Sequence, residues 1–202
     1  MPRTSVIVRT TIQSAALKAA ANLTTQLAAQ YRVDSPQPLN WQRVLEFCIF
    51  GVLQAPVGCY WQEFLEETFP TRGTIRVAAA PAWKDYEHRG HQESKDTVAT
   101  ASEDTTNWWN VLWKLLIDQT IGLFIMNTLF LTVMNTAQVQ SSAELLAVVR
   151  ARVFRIIRAA WNLWPAVAII NFLWVPVEKR VLVGACVGFG WNIFLSIITA
   201  VK

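Results

Sequence analysis

The hydrophobic pattern is clearest toward the C-terminal end of the chain. Residues 159–177 and 181–201 are two apolar runs without a charge, separated by Glu178-Lys179-Arg180. Each is close to the ~20 residues that a helix needs to cross a hydrocarbon core about 30 Å thick. Two such runs in tandem, with Trp at their ends, predict a bilayer rather than a soluble core as their surroundings. Upstream, a third helix is predicted over residues 108–138, uncharged from 119 to 143. A second covers residues 40–66, with an uncharged middle from 47 to 62 that Gln54 and Pro56 interrupt. The first, residues 10–31, is Ala-rich but holds Lys18, Gln26 and Gln30, so it fits the inside of a bundle better than a lipid-facing position. Asp34-Ser35-Pro36-Gln37-Pro38 ends it, because proline cannot continue the backbone ladder.

Two segments depart from this pattern. Residues 71–106 are rich in charged residues of both signs, His and Ser, with Pro81 and no helical apolar period. They read as a polar, partly disordered insert in what is otherwise a single membrane domain over residues 1–202. Residues 142–158 form an amphipathic segment, with Leu145, Leu146, Val149, Val153, Ile156 and Ile157 on one half of the wheel. Arg152, Arg155 and Arg158 take the other half, and Arg150 sits at the boundary. Such a helix either lies in the interface with its guanidinium groups on phosphates or extends the fourth span. The expected fold class is therefore all-α, an integral membrane bundle of four to five helices plus an amphipathic interfacial segment. Both span counts fit, and the arginines of residues 150–158 compete with Arg3 and Arg9 for the positive side.

Composition adds detail. Hydrophobic residues make up 53% and charged residues 16% of the 202, and the charges gather in the termini, the connections and the insert. Of ten Trp, Trp41, Trp61, Trp108, Trp109, Trp161, Trp164 and Trp191 lie where apolar runs begin or end, the place that indole rings favour at a headgroup boundary. A net charge of +4 suits anionic lipid headgroups, and no continuous basic surface points to nucleic acid. Cys48 and Cys59 share a helix face but stand ~16 Å apart along the axis, too far for a disulfide. With Cys186 they are expected to be reduced. The N-terminal residues are basic, Ser/Thr-rich and free of acid before Asp34, like a mitochondrial targeting segment or like a helix end with basic anchors.

Motifs for catalysis are missing: there is no nucleophile elbow, P-loop, dinucleotide fingerprint or Cys/His metal spacing, and His88 with His91 is too little for a metal. No enzyme activity, cofactor or metal is expected. The polar groups inside apolar runs are the candidates instead. Lys114 and Asp118 stand at i, i+4 with Gln119 beside them, either as a functional site or as a neutralising ion pair at the membrane boundary with Lys114 snorkelling outward. Because Lys before Asp is the weaker helical order, a partner on another helix, such as Arg180, is expected for Asp118. Thr120, Asn127, Thr128 and Asn135 form a stripe on the third helix, suited to an aqueous path or to hydrogen bonds between helices. Gly184-x-x-x-Gly188 and Gly51-x-x-x-Ala55 are small-residue patterns that permit close helix packing. Asn22-x-Thr24 is a glycosylation sequon, but it falls inside a helix.

Several of these residues, in order, resemble a known family. Trp161-x-x-Trp164-Pro165, Asn171-Phe172-x-x-Val175-Pro176-x-x-x-Arg180, Trp191-Asn192 and Leu195-Ser196 are similar to the C-terminal signature of the Mpv-seventeen and peroxisomal-membrane-protein-twenty-two family. Lys114-x-x-x-Asp118-Gln119 matches its third-helix motif. Arg43, Gly51, Pro56, Trp61 and Phe69-Pro70 follow its second-helix pattern more loosely, and Gln30 the glutamine closing its first helix. Ala168 stands where the family usually has Gln, Thr25-Gln26 where it has Gly-Asp, and Ala55 where it has Gly. The resemblance implies a small multi-pass protein of the mitochondrial inner membrane or, alternatively, the peroxisomal membrane. It would be channel-like and pass small metabolites; the alternative is a non-conducting organiser or assembly factor. It also implies that Trp164-Pro165 and Val175-Pro176 bracket the fourth helix, with Asn171 as an interhelical hydrogen-bonder and Arg180 on a phosphate or an acid. The pore or polar-network candidates are thus Lys114, Asp118, Gln119, Asn127, Asn171 and Arg180, framed by Trp161, Trp164, Pro165, Phe172, Pro176 and Trp191. The partners that fit are the bilayer with its anionic lipids, small-molecule solutes and further copies of the chain, but not nucleic acid.

Overall fold

A computed structural model describes residues 4–30, 38–76 and 102–199. Among the described residues the chain forms six helices: α1 Thr4–Gln30, α2 Trp41–Thr68, α3 Trp108–Thr136, α4 Ser142–Ala160, α5 Trp164–Trp174 and α6 Val177–Thr199. Local chemistry sets three of the helix starts. Asn40, Asn107 and Ser141 accept the backbone N–H of Arg43, Asn110 and Glu144, respectively, each satisfying a donor that the first turn leaves without a partner. α2 continues through Pro56, whereas α5 is confined between Pro165 near its start and Pro176 just past its end.

α2 is the hub, packing on α1, α3 and α6. α1 also lies against α6, α4 against α3, and α5 against α3 and α6. The tightest crossing is that of α1 and α2. A Cβ on Gly51 would stand 2.6 Å from Ala15 Cα, so only glycine permits this backbone approach. Gly51 and the fully buried Ala55 act as the small-residue pattern predicts. The other pattern does not. Gly188 has no atom within 4 Å of a Cβ position and Gly184 has only Trp164 at 3.9 Å, so these glycines face open space rather than a packing seam.

The distribution of polarity is that of a membrane protein. On α2, Leu45, Ile49, Val52, Leu53, Tyr60 and Phe64 point outward, while Phe50, Gly51, Ala55, Gly58 and Cys59 are buried. Lys114, Gln119, Asn135, Asn171 and Arg180 are buried among the helices. An apolar exterior around an interior holding charged groups is stable only where the outside is lipid. Among the described residues, α2 and α3 are long and apolar enough to cross a membrane, and α4 with α5 would make a third crossing if the bent pair counts as one. The fold is an all-α membrane bundle.

One expectation changes. The apolar run at 159–177 is not one straight span: α4 ends at Ala160, α5 starts at Trp164, and the two are bent by 63°. α5 has 11 residues, ~16 Å of helix, about half of a hydrocarbon core. At the two ends of the polar insert the chain pairs with itself. β1 Arg72–Arg76 and β2 Ser102–Thr106 pair antiparallel, Arg72 opposite Thr106 and Arg76 opposite Ser102. Backbone pairing needs no apolar period, and the β-branched Thr105 and Thr106 favour it. The rest of the insert, including His88 and His91, lies outside the described residues, as do Arg3 and the break at 34–37. Cys48, Cys59 and Cys186 are free thiols.

α4 packs on protein along its apolar stripe. Val149, Val153 and Ile157 pack against Leu131, with Leu123 and Phe130 beside them, which seats α4 on the second half of α3. Its apolar stripe therefore faces protein, and the neighbouring face with Arg152 and Arg155 turns toward the space between the helices.

Candidate functional site

That space is a chamber of about 590 Å³ walled by α2 to α6, with Lys18 of α1 reaching in. Five of the six sequence candidates line it: Asp118, Gln119, Asn127, Asn171 and Arg180. Gln54, Gln62 and Asn192 add further amides, and Phe47, Phe50, Phe130 and Phe172 supply apolar wall. Trp61, Trp164 and Trp191 line it too. These three were expected at the membrane boundary; Trp41, Trp108 and Trp109 are the ones exposed at helix starts. Pro165 and Pro176 set the ends of α5 and so the position of its lining residues.

A wide turn of α3 presents the acid. Asp118–Gly122 is a π-turn in which Leu123 N–H reaches back to the Asp118 carbonyl. Such turns insert a residue into the helix and are frequent at functional sites. Asp118 Oδ1 accepts from Trp61 Nε1 at 2.9 Å and Gln62 Nε2 at 3.4 Å, and Oδ2 accepts from Gln119 Nε2 at 2.9 Å. Gly122 makes room for this, since a Cβ there would stand 2.8 Å from Trp61 Nε1. Trp161, half-exposed, donates from Nε1 to the Gln119 carbonyl at 3.0 Å and ties the α4–α5 corner to the same turn.

The sixth candidate, Lys114, closes one end. Its Nζ lies 2.6 Å from Glu66 Oε2 and donates to Thr71 Oγ1 at 2.6 Å. Arg180 Nη1 stands 2.8 Å from the same Glu66 oxygen, and its Nε donates to the carbonyls of Asn171 at 3.1 Å and Val175 at 3.0 Å. Phe172 packs beneath both cations, 5.4 Å from each. Thr71 N–H and Oγ1 donate to Glu66, and Asn107 N–H donates to the Thr71 carbonyl, so the neck of the insert holds the cluster in place. Arg180 thus pairs with Glu66, not with Asp118 as expected. Asn171 contributes its backbone carbonyl rather than an interhelical side-chain bond, and its Oδ1 has no partner among the described residues.

The stripe on α3 divides. Asn127 and Asn135 donate to carbonyls four residues back, Leu123 and Leu131, rather than to other helices. Thr120 is exposed and bonds its own helix at Leu116. Asn127 lines the chamber; Asn135 lines a second, more open one of about 600 Å³ at the opposite end from Glu66. This vestibule is bordered by Asn22, Gln26, Arg43, Gln138, Arg152 and Arg155, and it shares Phe47, Phe130, Arg155 and Ile156 with the main chamber. Phe130 meets Phe47 and Phe50 edge-on at centroid distances of 6.1 and 5.2 Å, so an aromatic cluster separates the two spaces. From Asn40 to Gln62 the two chambers follow α2 for ~33 Å, close to the thickness of a hydrocarbon core.

Glu66, Lys18 and Arg155 are not among the six candidates that the sequence offers. Lys18 carried a signal, as a lone cation within an Ala-rich helix. Glu66 looked like an ordinary helix end, and Arg155 like its neighbours on α4. Among the described residues no group of three or more His, Cys, Asp or Glu could hold a metal ion.

The sequence is similar to those of several known proteins. The sequence profile of the Mpv17 / PMP22 family matches residues 135–196. PXMP2/4 family protein 3 of Dictyostelium discoideum is 27% identical over 192 residues, covering 95% of this chain and 85% of its own. Mitochondrial inner membrane protein Mpv17 of Caenorhabditis elegans is 33% identical over 86 residues, 43% of this chain and 48% of its own. Peroxisomal membrane protein 2 of Bos taurus is 30% identical over 83 residues, 41% of this chain and 42% of its own. No solved structure matches.

Proposed function

We propose that the chain, similar over residues 135–196 to the Mpv17 / PMP22 family and along most of its length to a PXMP2/4 family protein, is a member of that family of membrane proteins and that its inter-helical chamber passes small solutes across an organellar membrane. The observation that carries this reading is the run of two chambers along α2, lined by the polar side chains of Asp118, Gln119, Asn127 and Arg155 between otherwise apolar helices. A protein that only organised partners would gain nothing from such a space, and unfilled volume between helices is destabilising. The aromatic cluster at one point and the Glu66–Lys114–Arg180 cluster at the end narrow the path. The proposed location is the mitochondrial inner membrane, which the name of the Caenorhabditis elegans relative supports; the bovine relative's name supports the peroxisomal membrane as the second reading.

Purified protein reconstituted in phospholipid vesicles tests passage. Small solutes are expected to cross at a rate that depends on protein, and Asp118→Asn to change that rate or its selectivity. Vesicles as tight with the protein as without it would refute the reading.

A further inference from the structure

We propose that the chamber takes a small oxyanion, a carboxylate or a phosphate, held between Lys18 and Arg155. The inference rests on the reading of the chamber as the place that a solute occupies, and it comes from the charges on its walls. Asp118 is the one acidic side chain among the described residues lining either chamber, and it already accepts three hydrogen bonds. Against it stand Lys18, Arg155 and Arg180 in the main chamber and Arg43, Arg152 and Arg155 in the vestibule. Arg180 shares the Glu66 carboxylate with Lys114, and Arg43 pairs with Glu46 at 2.9 Å. For Lys18 and Arg155 no acidic partner is found among the described residues.

Lys18 Nζ sits 4.7 Å from the centre of the Phe50 ring, beside the aromatic cluster, and Arg155 lies where the two chambers meet. A lone ammonium among helices in a bilayer carries a large desolvation cost that a counter-anion offsets. The guanidinium fork adds geometry, because its paired N–H groups match carboxylate and phosphate oxygens. Low-dielectric walls concentrate the field of these cations in the path, attracting anions and repelling cations. A volume of about 590 Å³ suits a metabolite-sized ligand.

A free anion and an anionic lipid headgroup present the same oxygens, so the test separates them. The full chain is placed in nanodiscs of phosphatidylcholine alone and titrated with succinate or inorganic phosphate, with Trp61, Trp164 and Trp191 in the chamber wall as fluorescence reporters. A saturable change in emission is expected, weakened about tenfold by Lys18→Gln or Arg155→Gln. Lys18→Arg, which keeps the charge, should retain it and controls for folding. Ribitol, neutral and of similar size, should give no response. If phosphatidylglycerol in the nanodiscs abolishes the succinate response, the oxyanion site stands and the lipid headgroup is its occupant. If succinate and phosphate give no response, or ribitol gives an equal one, the oxyanion site is refuted whether or not vesicles pass solute. Saturable succinate binding together with tight vesicles would refute passage and leave the site standing.

Discussion

Lys114, with none of its side chain exposed, places Nζ 2.6 Å from Oε2 of Glu66 on a different helix, and that same oxygen also faces Arg180. One carboxylate therefore serves two buried cations and joins the end of α2 to α3 and α6. The strength of such a cluster lies less in attraction than in the cost of leaving it incomplete, because each buried charge has lost its water.

Glu66→Gln should accordingly destabilise the protein more than Lys114→Met does. The first leaves two buried cations facing each other without an acid, a loss of about 3–5 kcal/mol. The second removes one cation and keeps the Glu66–Arg180 pair. Thermal unfolding in detergent, followed by tryptophan emission, measures both. A Glu66→Gln protein as stable as Lys114→Met would show that the cluster does not depend on its shared acid.

Gly51→Ala should loosen the crossing of α1 and α2. The new methyl would meet the backbone of Ser14 and Ala15, which cannot rotate away as a side chain could. Overpacking of this kind costs about 1–3 kcal/mol. Gly188→Ala, whose methyl enters open space, should not lower the unfolding temperature. Equal loss in both variants would mean that the α6 glycines pack as tightly as Gly51.

Most of the fold was legible because the helices are long and apolar and are separated by proline breaks and polar segments. The small-residue pattern of Gly51 and Ala55 read correctly, since its partner is a continuous helix. The same pattern at Gly184 and Gly188 misled, because whether small residues make a seam or a hollow depends on what stands opposite. Five of the six polar candidates fell into one chamber, as polar groups in apolar runs tend to gather away from lipid. Their pairing was not legible. Spacing within α3 put Lys114 beside Asp118, but the partner of Lys114 comes from α2, and nothing local distinguishes Glu66 from Glu63 or Glu67. The break in the run at 159–177 lay in Trp164-Pro165, which mean hydropathy does not register.

Arg180→Lys should fail to replace the native residue despite keeping its charge. The guanidinium reaches the carbonyls of Asn171 and Val175 through Nε while Nη1 faces Glu66, so one planar group caps α5 and completes the ion cluster. An ammonium is a point charge and cannot do both from one position. Loss of the two charge-assisted bonds at the end of α5 should lower stability by about 2 kcal/mol, with Arg180→Gln lower still because Glu66 also loses a cation. Unfolding temperatures rank the three proteins; a Lys variant equal to the native chain would mean that charge alone is needed there.

Phe130→Ala should join the vestibule to the main chamber. The Phe130 ring stands edge-on to both Phe47 and Phe50, and it borders both spaces. Removing it takes away the part of the barrier that α3 supplies, while Phe47 and Phe50 remain on α2. Each edge-on aromatic pair contributes about 0.5–1.5 kcal/mol beyond burial, so the variant should be less stable yet still folded. In reconstituted vesicles the size limit for polyols should rise, and Phe130→Trp, which fills the gap, should slow flux. The comparison is made at equal amounts of folded protein, checked by its unfolding transition. An unchanged size limit in folded Phe130→Ala would show that solutes do not pass between the two chambers at this point.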